Sequence, residues 1–227
     1  MNAAEYLLGF FEMGSSNKAN EAGYKFPDVV AALAEVESAI DSWALAGMDV
    51  HLMRQCLARW KSSAINTFTT NTGRVKWSLD GINFKDTEGL LSDGDLMGLQ
   101  TVAEKMSMST VEYSETARDR MSKMIDEAIK CVREDDSLPD ELVVYIARLV
   151  SEARTALDEY DLTGDFKLSI AFDRLSNALR VAEAKTKHSE TWKTFREQFM
   201  IPLLAQVGVN AVVWGLSAAQ VLPQIGS

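Results

Sequence analysis

Residues 137–182 read SLPDELVVYIARLVSEARTALDEYDLTGDFKLSIAFDRLSNALRVA, and this stretch decides the fold. Leu142, Ile146, Leu149, Ala153, Ala156 and Tyr160 recur at three- and four-residue steps, which places them on one helical face. Pro139 and Asp140 mark the start of that helix, because proline loses no needed donor in a first turn and acids suit the N-terminal dipole. Asp161-Leu-Thr-Gly164 interrupts the pattern. Leu168, Ala171, Phe172, Leu175, Leu179 and Ala182 then repeat it, so two helices of about 22 residues joined by a short turn must form an antiparallel αα-hairpin.

Working outward, Ser109-Thr-Val-Glu112 matches a capping box ahead of a third stripe of Ser114, Ala117, Met121, Met124, Ile125, Ala128 and Val132. Residues 109–198 are thus expected to be an antiparallel helical bundle. Nearer the N-terminus, a short apolar helix over Ala3–Glu12 precedes a loop-like run from Gly14 to Gly23. A helix opening near Pro27 carries Val29, Leu33, Val36, Ile40 and Trp43 inward and closes at Gly47. Another, from Asp49, turns Met53, Leu57, Trp60 and Ala64 to one side. Between 73 and 85 the period changes: Val75, Trp77 and Leu79 alternate with polar residues, Asp80-Gly81 is a tight-turn pair, and Ile82 and Phe84 follow, which predicts a β-hairpin. The predicted fold is mainly α: a helical region with one small β-hairpin insertion over 1–108, the bundle, and a C-terminal hydrophobic helix over 199–227.

Catalytic motifs are scarce. The chain has two histidines, and neither His51 nor His188 lies near a nucleophile motif; no phosphate-binding glycine loop, GxSxG or HExxH occurs. Ser92-Asp93-Gly94-Asp95 lacks the ligand series of a calcium loop and reads as a helix cap. Glu134-Asp135-Asp136 and Asp158-Glu159 fall at helix boundaries and read as solvated faces. Cys56 and Cys131 match no zinc or redox spacing and read as free thiols. No signal peptide is apparent at the N-terminus, so a cytoplasmic body is expected. No enzyme, metal or cofactor is implied. A net charge of -10 disfavours nucleic acid as a partner.

The charge is uneven: residues 184–227 carry four basic and two acidic side chains, a balance of +2 inside a chain of -10. From Phe199 onward no residue is charged. Phe199 to Leu222 would make about 36 Å of helix, against about 30 Å of hydrocarbon. Gln206, Asn210, Ser217 and Gln220 fall on one face, and Ala211, Gly215 and Ala219 form a small-residue ridge beside them. Lys185, Lys187, Trp192, Lys193 and Arg196 precede the segment as candidate membrane-flanking residues. Its apolar side chains are worth roughly -3 to -7 kcal/mol on insertion, and desolvating its amides opposes that, so association between copies is expected.

This layout, a helical body ahead of a terminal hydrophobic segment, resembles that of membrane-acting effectors in bacterial antiviral defence and of tail-anchored proteins. It implies a non-enzymatic protein of the inner membrane that oligomerises through its tail and disrupts the bilayer, with lipid, further copies and an unidentified protein as partners. The alternative expectation is a soluble all-α interaction module, a phage or plasmid accessory protein, with the C-terminal helix in its core.

Overall fold

The computed structural model describes residues 1–13, 16–69, 91–108 and 112–207, and all regular structure among them is helical. The expected β-hairpin at 73–85 lies outside these residues. The chain divides into two units. Met1–Thr110 with Leu162–Phe166 form the first, and Val111–Asp161 with Lys167–Ser227 form the second.

In the first unit, α1 (Ala3–Glu12), α3 (Phe26–Leu45), α4 (His51–Thr69) and α5 (Asp93–Ser107) surround the core. Asn2 caps α1 by accepting from the backbone of Ala4 and Glu5 while Glu5 accepts from the Asn2 backbone, the reciprocal pairing that satisfies otherwise orphaned donors. The Gly14–Gly23 run is not all loop, since it contains a short helix, α2 (Ser16–Glu21), in which Ala19 is buried. Along α3, Val29, Leu33, Val36 and Ile40 are buried as their spacing requires, while Trp43 is half-exposed under the ammonium of Lys105. Tyr6, Phe10, Tyr24 and Phe166 pack as a run of tilted rings.

Ser92 and Asp95 form a capping box at the start of α5, as the Ser-Asp-Gly-Asp run suggested. Asp95 also accepts from Arg59, and its backbone oxygen takes the indole of Trp60 at 3.0 Å. Burial alone would raise the Asp95 pKa, but the hydrogen bonds from Ser92 and Arg59 bring it below the ordinary carboxylate value.

The second unit contains α6 (Glu115–Glu134), α7 (Asp140–Asp158), most of α8 (Tyr160–Lys185), α9 (Ser189–Phe195), a single π-turn (Arg196–Met200) and α10 (Ile201–Val207). The cap of α6 is Ser114, which accepts from the Ala117 N–H, rather than the Ser109 expected from the capping-box match. Apart from Ser114, which is exposed at the cap and not in the buried stripe, the stripes of α6, α7 and α8 meet in one core, as their periodicity predicts. Gly164 breaks α8 with φ of 64°, a conformation that suits glycine.

The same core corrects the membrane reading. Trp192, placed by sequence at a lipid interface, is 1 % exposed, and Phe195, Met200, Leu203 and Leu204 join it in the bundle core. Burying Phe195, Met200, Leu203 and Leu204 contributes about 6–12 kcal/mol at 1.5–3 kcal/mol each, which is at least what bilayer insertion of the whole segment offers. Those turns therefore stay with the bundle. Among the described residues no helix is long and apolar enough to cross a membrane. The membrane-effector function and inner-membrane location expected from the sequence are overturned. Lys185, Lys187 and Lys193 are exposed, and Arg196 pairs with Glu183. Gln206 falls in α10; Asn210, Ala211, Gly215, Ser217, Ala219 and Gln220 lie outside the described residues.

Candidate functional site

Two features of the second unit stand out: a buried carboxylate that fastens α9, and a groove that α9 and its continuation wall in. Asp135 ends α6 in an extended conformation. Its Oδ1 accepts from the Ser137 backbone N–H at 3.0 Å and the Ser137 hydroxyl at 2.6 Å. The other oxygen, Oδ2, accepts from the Thr186 hydroxyl and from the Trp192 indole, the latter at 2.8 Å. Ser137 and Thr186 each pass the connection on, accepting from the backbone N–H of Lys187 at 2.9 Å and of His188 at 2.8 Å. One carboxylate thereby ties the α6–α7 loop to the turn that opens α9. Burial pushes the Asp135 pKa up, but the donors from Ser137, Thr186 and Trp192 more than reverse this and hold it at about 2.

The sequence reading placed Asp135 on a solvated face. Its local signal was an Asx turn, an Asp two residues ahead of Ser137 before Pro139, which allows a carboxylate to bind its own backbone. The donors from Thr186 and Trp192 arrive from about 50 residues away and leave no local pattern. Asp135, Asp136 and His188 bring their ligand atoms within 4.8 Å of one another, a spacing compatible with a cation. A carboxylate has four lone-pair sites, however, and all four on Asp135 are already used. The cluster is a structural latch. His188 adds to it by bonding Asp136 at 2.9 Å, which raises the imidazole pKa.

Beyond α9 the π-turn widens the helix by one residue, its signature being the Ile201 N–H bonded to the Arg196 oxygen. Met200 is buried on one side of this turn, whereas Phe199 is left half-buried against the core edge. Phe199 lines two adjoining clefts, of about 570 and 440 Å³, that also share Glu127 and Lys130. Together they form a groove along α6, which sends its apolar stripe inward and its charged flank outward. Lys123 and Arg133 border the larger cleft and are ten residues apart, or about 15 Å along the helix. The acids there are matched: Asp126 holds Arg154 at 2.6 Å and Glu127 holds Lys130. Lys123 and Arg133 have no ion-pair partner among the described residues. In the smaller cleft, Phe195 stacks on Phe199 at 5.9 Å, and burial followed by the charge of Glu127 raises the Cys131 thiol pKa, keeping it protonated.

The two histidines are engaged locally, His51 with Gln55 at 2.9 Å and His188 with Asp136. Comparison with known proteins adds no name: no family model, curated protein or solved structure matches this chain.

Proposed function

We propose that this chain is a non-enzymatic helical protein-interaction module whose binding face is the groove along α6. The half-buried Phe199 carries the reading: a large ring at the edge of the core lines the same cleft as two cations that have no ion-pair partner among the described residues. Aromatic and arginine side chains supply most of the binding energy at protein interfaces, and a groove with an apolar floor and charged rim accepts an amphipathic helix. In this reading the Asp135 latch fixes the wall from which Phe199 projects. No catalytic role is assigned to His51 or His188.

A photoreactive benzoylphenylalanine placed at position 199, with the same probe at the exposed Val144 of α7 as control, tests this in extracts of the source cells. Adducts are expected from position 199 alone, and Lys123→Glu with Arg133→Glu should remove them. Adducts from neither position, or equally from both, would overturn the proposal.

A further inference from the structure

We infer that the occupant of the groove is α3 of a second copy of this chain, so that copies associate head to tail; the inference rests on the groove being a binding face. Helix α3 carries Asp28, Glu35, Glu37 and Asp41 and no basic residue. One face is buried in the first unit. The other presents Phe26, Val30 and Ala34 at four-residue steps and then the polar Ser38; Phe26 and Val30 are 44 % and 45 % exposed, and one side of the Phe26 ring rests on Phe68 at 5.1 Å. A short apolar run on the outer face of a helix whose other face is already buried is a surface that a partner can cover.

Its charges fit the same partner. Glu35, beside Ala34, has no ion-pair partner among the described residues, while Glu37 and Asp41 hold Lys61 and Arg54 in partly exposed pairs of little energetic worth. The outward run from Phe26 to Ala34 is about 12 Å long, comparable with the ~15 Å of α6 between Lys123 and Arg133, which line the same cleft as Phe199. An acidic, apolar-striped helix is the chemical complement of that groove. A nucleic-acid strand is a poorer occupant, because Asp126, Glu127 and Glu134 also line the clefts and the chain is strongly acidic.

Since the two surfaces differ, the contact is heterologous, and repetition closes a ring or extends a filament. A contact confined to one groove buries less than the ~1,200 Å² typical of stable complexes, so association is weak, concentration-dependent and reduced by salt.

Sedimentation velocity of the full chain over rising concentration tests the inference. Association is expected for the unmodified protein. It should be lost in Val30→Asp and, separately, in the pair Lys123→Glu with Arg133→Glu, all exposed positions whose circular dichroism should be unchanged. Mixing the two variants leaves one intact groove and one intact α3, so dimers and nothing larger should form. A chain that stays monomeric up to about 1 mM, where contacts of ~4 kcal/mol become visible, overturns self-docking, as does a mixture that fails to dimerise. If the probe at position 199 then captures a different protein, the groove reading survives without self-docking; if it captures nothing, the groove reading falls too.

Discussion

Asp135→Asn would replace one acceptor oxygen by an N–H₂ at a point where four donors converge. Whichever way the amide turns, two donors face two donors: either the Ser137 backbone and hydroxyl, or Thr186 and Trp192. Thr186 and Ser137 can rotate their hydroxyls away, but the Trp192 indole is fixed in the core and bonds only Asp135 among the described residues. Loss of charge-assisted bonds at about 1.5–3 kcal/mol, partly recovered by the remaining oxygen, together with a stranded donor at about 1–3 kcal/mol, gives an expected cost of roughly 2–4 kcal/mol. For a chain of this length that is about 5–15 °C in Tm. Thermal melts followed by circular dichroism read the shift, and near-ultraviolet dichroism should report a loosened Trp192. Asp136→Asn is the control, since Asp136 is exposed and should cost less than about 0.5 kcal/mol. Pairing Asp135→Asn with Trp192→Phe should be clearly non-additive, because the second change removes the donor that the first one strands. Equal melts for Asp135→Asn and Asp136→Asn would refute the idea that this carboxylate seats α9.

The Asp135 pKa, depressed to about 2 in the fold, means that its stabilisation is complete above the unfolded value of about 3.9 and is lost as pH falls through 2; acid titration of the Tm should show the loss in that window and Asp135→Asn should lack it. His188 works in the opposite sense: Asp136 raises its pKa, so its contribution is full below the ordinary histidine value and fades as pH climbs through the raised one. Proton NMR should find the His188 ring titrating above 6.5, and Asp136→Asn should bring it down. At Gly164 an added Cβ would lie 2.5 Å from the Met1 carbonyl oxygen in a left-handed conformation, so Gly164→Ala should cost about 2–4 kcal/mol in a denaturant melt. At Gly47, also left-handed, nothing lies within 4 Å, and Gly47→Ala should cost only about 1 kcal/mol. Similar costs at the two glycines would contradict this account.

The helices were legible because their apolar positions repeat with the helical period, and the stripes of α6, α7 and α8 needed nothing beyond that repeat. The start of α6 was misread because Ser109-Thr-Val-Glu112 fits a capping-box pattern, whereas the cap is Ser114, five residues later, with a single bond from the Ala117 N–H and no reciprocal partner. The tail was misread for a deeper reason. Absence of charge marks a segment that avoids water without saying whether lipid or its own bundle receives it, and Trp192 suits either setting until its indole is seen on Asp135. Phe199 was counted as one apolar residue among many. Its position at the rim depends on a π-turn, which shifts phase by one residue and leaves the hydrophobic pattern almost unaltered.

Residues 162–166 belong to the first unit although the chain on either side of them belongs to the second. In the first unit, the amino group of Met1 reaches the Asp165 carboxylate at 2.6 Å, and the Asp165 N–H returns to the Met1 oxygen at 2.9 Å. During synthesis the amino-terminal helices therefore wait for more than 50 further residues to leave the ribosome before their last pieces arrive. A protease cut between the units near residue 110 would free a fragment that lacks Asp165 and Phe166, an incomplete half rather than a separable domain.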